Sequence, residues 1–298
     1  MEKKILFRGV GTALITPFKS GGIDLHAYER IINYQIEGGV SAIIAAGTTG
    51  EACTLTDTER YRLYEAAVRF ARGKVPVILG TGTNDTARTL EYTKMAEDIG
   101  ADGVLLVSPY YNRGTEEGIY RHFAKIAEEC KIPQILYNVP SRTGVNISIE
   151  NLTRLAAYPN IVGIKEASGS LMRLIDISAK VPDLPLYSGN DGETYSTLSL
   201  GGLGVISVAA NAVPSAMAEI TNRYFANDFS GSFEIQKSLS QFISSLFLET
   251  NPSPIKYAME LLGFCEGEIR LPLFVPTEAT RRAVKRELDA VMEINNNS

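Results

Sequence analysis

The stretch "DGVLLVSPYYNRGTEEGIYRHFAKIAEECKIPQILYNVP", Asp102 to Pro140, runs from a short apolar segment through a helical pattern into a second short apolar segment. "GVLLV" has a strand's length and branched character, and so does "PQILYNVP". Between them, "TEEGIYRHFAKIAEEC" repeats its apolar residues at helical spacing. The same βα unit recurs on both sides. Before it come "GVGTALITPF" with "LHAYERIINYQIEGG", "SAIIAAG" with "TDTERYRLYEAAVRFARG", and "VPVILGTG" with "DTARTLEYTKMAEDIG". The second of these helices opens with the capping-box pattern Thr56-x-x-Glu59. After it, "SIENLTRLAAY" completes the fifth unit, and "NIVGIKEA", "LPLYSGN" and "GVISVAAN" each precede a helical pattern.

Eight units in roughly 225 residues, with strands too apolar for a one-sided sheet, predict an α/β fold: a parallel (β/α)8 TIM barrel over residues 1–226. An open doubly wound sheet would hold the same units, since their number does not prove closure. From Asn227 onward no strand-like run occurs. "SFEIQKSLSQFISSLFLE", "PIKYAMELLGF" and "PTEATRRAVKRELDAVMEI" read as helices, separated at Asn251-Pro252 and around Pro272 to Pro276, so residues 227–298 are expected to form a small helical C-terminal domain.

Composition narrows the function. The chain has 298 residues, 45% hydrophobic and 21% charged, with a net charge of -5, so nothing draws its whole surface to nucleic acid or anionic lipid. The apolar runs fall well short of the roughly 18 residues that cross a bilayer. Cys53, Cys130 and Cys265 are odd in number and widely spaced, which argues against a disulfide framework or structural zinc and for a reducing cytoplasm. Small-molecule substrates and other subunits are the expected partners.

In such a barrel, functional residues sit at the C-terminal ends of the strands. Those ends carry hydroxyls, a few carboxylates and one lysine, Lys165. The only histidines, His26 and His122, fall inside helical patterns, which removes the base from a Ser/His/Asp or Cys/His mechanism. No HxH, HExxH or Cys/His cluster suggests a metal, and "GVGTAL" and "GTGTND" lack the third glycine of a dinucleotide fingerprint. Neither a metal nor a nucleotide cofactor is expected.

Lys165 ends the apolar strand "NIVGIK". Burial at a barrel mouth lowers an ammonium's pKa, and the neutral amine can attack a ketone to form an imine that accepts electrons. The alternative is a lysine paired with Glu166 or extended to the rim. Tyr137 ends the preceding strand, where a phenol can carry the protons of imine formation, or pack with a wet tip. Thr48 and Thr49 can bind a carboxylate, or form a turn before the Thr56 helix. Arg142, in "SRTG", suits a second carboxylate or an exposed loop.

With these residues in place, "GTTGE", "SPYYN", "YNVPSRTG", "GIKEASG" and the final "GVISV" closely resemble, in order and over essentially the whole chain, the dihydrodipicolinate synthase family of pyruvate-dependent class I aldolases. The Arg142 segment favours this family over N-acetylneuraminate lyase and the sugar-acid aldolases such as 2-keto-3-deoxygluconate aldolase. The resemblance implies that pyruvate forms a Schiff base on Lys165 and then condenses with L-aspartate 4-semialdehyde, without a cofactor, toward diaminopimelate and lysine. It implies Tyr137 as proton donor and acceptor, with Thr48 and Tyr111 completing a relay. Tyr111 matches the tyrosine that the family inserts from a neighbouring subunit, so a homodimer or homotetramer is implied. Thr49 and the backbone of Ile206 match pyruvate contacts, Arg142 the receiver of the semialdehyde's carboxylate, and Gly189 a pocket backbone position. Family members inhibited by lysine hold it near Tyr110 and Asn84. Here Ala52, Cys53, Asp57 and Arg60 occupy neighbouring positions, and Arg88 stands where an acidic residue would meet the inhibitor's ammonium. Repulsion between the two cations is expected to weaken such feedback.

Overall fold

In the computed structural model, which describes residues 3–71 and 73–296, eight parallel strands close into a barrel. They are β1 (Gly9–Ala13), β2 (Ala42–Ala45), β3 (Val77–Gly80), β4 (Gly103–Val107), β5 (Gln134–Asn138), β6 (Ile161–Glu166), β7 (Leu186–Ser188) and β8 (Gly204–Ser207). Each strand bonds its sequence neighbours, and β1 bonds both β2 and β8, which settles closure over the open sheet. Nearly every strand residue is buried, because helices cover the outside and side chains fill the inside.

Two apolar clusters divide this work. The outer one packs strand residues such as Leu136, Ile161 and Ile164 against the helices. The inner one fills the barrel with Ile44, Ile78, Leu105, Ile135, Val162 and Ile206. Its base is plugged by Phe7 stacked on Tyr187, ring centroids 4.4 Å apart, with the Tyr187 hydroxyl donating to the Phe7 carbonyl oxygen at 2.7 Å. The C-terminal ends of the strands stay open and form a chamber.

A β-bulge determines what β6 presents there. Opposite Gln134 and Ile135 of β5 stand three residues of β6, Ile161, Val162 and Gly163. Ile161 faces the helices and Val162 the barrel interior, so strict alternation would send Lys165 outward with Ile161. The extra residue reverses the phase: Ile164 faces outward and Lys165 inward, in register with Tyr137 and Tyr187. A β-carbon on Gly163 would come within 3.1 Å of the Pro185 carbonyl oxygen and 3.2 Å of the Tyr187 ring. Glycine suits so close an approach.

The Thr56 capping box forms as expected, with the Glu59 N–H donating to Thr56 Oγ1 and the Thr56 N–H to Glu59 Oε2. Beyond the eighth unit's helix, Pro214–Phe225, come helices Phe229–Ser238, Ser240–Ser245, Ser253–Leu261 and Glu278–Asn296. The single helix expected over "SFEIQKSLSQFISSLFLE" is thus two. This C-terminal region returns to the barrel mouth. Lys256 forms an ion pair with Glu51 in which both side chains are 1% exposed, and it also donates to the Glu268 carbonyl oxygen at 2.7 Å. Glu51 accepts a second bond from the Arg270 N–H at 3.0 Å. No helix among the described residues is long and apolar enough to cross a membrane.

Candidate active site

Lys165 is 5% exposed and makes no hydrogen bond or ion pair among the described residues. The pairing with Glu166 that its neighbour in sequence suggested does not occur. Glu166 belongs to the opposite phase of β6, and its carboxylate takes Arg173 at 2.7 Å, the Asn138 amide and the Ser168 N–H. Burial lowers the Lys165 pKa to about 8; the negative charge of Asp191 opposes this and the Arg142 guanidinium adds to it. An amine with that value is substantially neutral in mildly alkaline solution and nucleophilic.

Tyr137 lies beside it, with Lys165 Nζ 4.3 Å from the ring centroid. Burial pushes the Tyr137 phenol up to about 12, while Arg142 and the Thr48 side chain pull it down. The phenol is therefore a stable proton carrier near a nitrogen that must lose and regain protons. These groups line a chamber of about 180 Å³ that also takes in Thr49, Gly189 and Arg142. An outer vestibule of about 410 Å³ adjoins it, sharing Thr48, Tyr137 and Arg142 and adding Tyr110 and Tyr111. The vestibule is the larger and more apolar space, but the reactive amine belongs to the chamber.

Thr48 and Thr49 lie in the tight turn after β2, where the Gly47 carbonyl accepts from the Gly50 N–H and the Thr48 carbonyl from the Glu51 N–H. Forming a turn and facing the chamber are one arrangement, not alternatives. Ile206 is fully buried on β8. Arg142, on the short helix Pro140–Thr143 after β5, extends across the mouth to donate to the Asn251 carbonyl oxygen at 3.2 Å. Gly189 packs against the lysine: a β-carbon there would lie 2.5 Å from Ala167 Cβ and 3.1 Å from Lys165 Cε.

Within this chain Tyr111 stays at the rim of the vestibule and outside the chamber that holds Lys165. It is 89% exposed, and its backbone is left-handed, φ 72°, a conformation that costs a residue with a β-carbon about 1–3 kcal/mol. The Asn112 amide, donating to the Asn84 carbonyl oxygen at 2.9 Å, helps hold the loop in place.

Arg88 also differs from expectation. Its guanidinium is bound by Asp57 and Glu91, each at 3.1 Å, and Tyr92 donates to the same Asp57. Two carboxylates beside one cation offset part of the repulsion expected to weaken lysine feedback.

Four site residues have roles that sequence reading did not find. Asn251, read only as a break between helices, donates to Thr49 Oγ1 at 3.0 Å, and its own Oδ1 is buried without a partner. Glu51 and Lys256 hold that segment down. Asp191 is one of the few carboxylates at the strand ends, to which the sequence assigns no role. Only an Asn-Pro in the tail and a carboxylate after β7 hinted at them, and neither is specific without the third dimension.

Comparison with known proteins agrees with this architecture. A 4-hydroxy-tetrahydrodipicolinate synthase of Thermotoga neapolitana is 47% identical over 286 residues, covering 94% of this chain and 97% of the relative. The crystal structure of dihydrodipicolinate synthase from Thermotoga maritima matches with a TM-score of 0.93 at 44% identity, over 96% of this chain and 98% of that one. That of the enzyme from Acinetobacter baumannii, complexed with pyruvate, matches with a TM-score of 0.93 at 41% identity, over 96% and 99%. Residues 6–291 match the family model itself, and the chain belongs to the dihydrodipicolinate synthetase family.

Proposed function

We propose that this chain is a 4-hydroxy-tetrahydrodipicolinate synthase, condensing pyruvate with L-aspartate 4-semialdehyde through an imine on Lys165. The observation that carries the reading is a buried, unpaired lysine with a pKa of about 8 beside Tyr137 in a small polar chamber. The Lys165 amine adds to the pyruvate ketone, the carbinolamine loses water, and the protonated imine remains. Loss of a methyl proton gives an enamine whose carbon attacks the aldehyde. The semialdehyde's amine then displaces Lys165 as the ring closes.

Tyr137 carries the protons, with Thr48 linking it toward the solvent side. Thr49 and the Ile206 backbone hold pyruvate, Gly189 shapes the wall beside the lysine, and Arg142 receives the carboxylate of the second substrate. Tyr111 acts in a neighbouring subunit's site, which accounts for a strained, exposed aromatic at the rim. The working unit is then a homodimer or homotetramer. The steps as written use side chains alone and call on no cofactor, and three unpaired cysteines support a cytoplasmic location.

Borohydride reduction with pyruvate tests the reading. A stable adduct on Lys165 is expected, together with turnover of pyruvate plus the semialdehyde that exceeds cleavage of sialate or 2-keto-3-deoxygluconate. An unmodified Lys165 would sink the imine, and faster sugar-acid cleavage would move the chain to a related aldolase.

A further inference from the structure

Imine formation leaves a positive charge on nitrogen in a place with little water. The Lys165 amine adds its lone pair to the ketone carbon, one proton is taken up, water leaves, and a cationic iminium remains. A buried cation without a compensating anion is costly. Glu166 cannot serve, because Arg173 and Asn138 hold its carboxylate on the other face of β6. Arg142 is itself a cation, and Tyr137 is a neutral phenol.

The carboxylate whose charge reaches Lys165 is Asp191. Asp191 follows β7, the strand paired with β6 at Lys165, and is 2% exposed. Its orientation is fixed. Ser207 donates its hydroxyl to Oδ1, and the Val208 and Ala209 N–H groups donate to Oδ2 at 3.0 and 3.2 Å. Burial raises the Asp191 pKa above the usual aspartate value; against it work three donors on two oxygens, which match a carboxylate that only accepts and favour its charged form, and the Lys165 ammonium. The same bonds fasten the Gly189–Asp191 turn to the end of β8, so a stapling role is the competing explanation.

We propose that Asp191 is a positioning residue of electrostatic kind, the fixed counter-anion of the iminium formed on Lys165. This rests on the imine reading above. The groups whose charge acts on Lys165 are Asp191 after β7 and Arg142 on the helix after β5, with the Tyr137 ring beside its nitrogen; Asp191 in turn feels the Lys165 charge and accepts from the Ser207 hydroxyl.

Asparagine separates charge from staple. In Asp191→Asn, Oδ1 can accept from the two N–H groups and Nδ2 can donate to Ser207 Oγ, while the charge is gone. Ser207→Ala removes one strut and leaves the charge. The assay is borohydride trapping of pyruvate on Lys165 from pH 6 to 10, after circular dichroism has established that each variant folds. With D191N the midpoint of trapping against pH should fall by about one unit, because an opposite charge near an ammonium favours the charged form. At the alkaline plateau, the pyruvate concentration for half-trapping should rise about tenfold, as the iminium loses its partner. S207A should leave the midpoint in place.

A D191N midpoint and pyruvate affinity equal to wild type, or an S207A shift as large as D191N's, would overturn the proposal. Should D191N not fold, infrared difference spectra of the pyruvate-bound wild-type protein decide the matter. A protonated carboxyl band that moves on isotopic labelling of aspartate refutes a counter-anion, and its absence supports one. Wild-type protein that never traps pyruvate refutes the imine reading, whereas trapping that ignores Asp191 refutes only this residue's part.

Discussion

Lys256→Met offers the most direct measure of how the C-terminal region serves the site. The substitution keeps an apolar side chain of similar length under Phe18, whose ring centroid lies 4.2 Å from the lysine nitrogen, and removes only the charge and its donors. Glu51 would then be a buried carboxylate with the Arg270 N–H as its main remaining donor. Breaking a buried pair on one side costs about 3–5 kcal/mol, and the Glu268 carbonyl oxygen loses a bond worth about 1 kcal/mol. About 4–6 kcal/mol is therefore expected, a large share of a protein's total stability. Urea denaturation followed by circular dichroism measures it, at one fixed protein concentration, because assembly would add its own stabilisation. Glu51→Gln with Lys256→Met should recover about half the loss, since no unpaired charge is then buried. The pyruvate requirement should rise in K256M, as Asn251 no longer holds Thr49. A K256M cost under about 1 kcal/mol, or a double variant as unstable as the two single losses added, would refute the reasoning.

Trapping of pyruvate by the wild-type protein should rise with pH about a midpoint near 8, since the ammonium is inert below it and the amine reacts above it; a midpoint near the ordinary lysine value would mean that burial does not activate Lys165. Gly163→Val should press β6 away from Pro185 and Tyr187 and cut trapping by about a hundredfold, the scale of a misplacement of about 1 Å, with the barrel's circular dichroism retained. Gly189→Ala should cost about 1–3 kcal/mol in urea denaturation and slow trapping as well, because the new methyl meets Ala167 and the lysine's own stem. His122 is buried and its pKa is lowered to about 4, chiefly by burial. The unfolded chain binds that proton near pH 6.5 and the folded chain only near 4, so stability falls as pH drops through this window, by up to about 3 kcal/mol. In His122→Asn that part of the acid dependence should vanish from urea denaturation at pH 4.5 against pH 7.

Much of this was legible in one dimension because strand and helix periods differ so plainly. The eight units emerge from apolar spacing alone, and Lys165 and Tyr137 follow from standing at the C-terminal ends of adjacent strands, each one residue before the last. Phase was not legible. Val162 and Gly163 look like ordinary strand residues, and only pairing against β5 identifies the extra one that turns the lysine inward. Contacts across 200 residues were equally silent. Nothing near Thr49 announces Asn251, and nothing near Glu51 announces Lys256, because such bonds depend on how a tail folds back rather than on local pattern. Pairing by proximity in sequence misled at Glu166, whose carboxylate found Arg173 on the following helix, and Arg88, read from the resemblance alone, is bound by Asp57 on another helix as well as by Glu91 on its own.

The extra residue in β6 also separates two demands that a regular strand would couple. Below it, the choice of which side chains point inward is governed by filling a closed apolar shaft. Above it, the choice is reset, so the chemistry at the rim can vary without repacking the shaft beneath. A redesign of this scaffold could therefore exchange the reactive side chain while leaving the lower half untouched, provided the offset is kept. Deleting one residue from the bulge would do the reverse, preserving every functional group in the sequence and turning the essential nitrogen toward the helices.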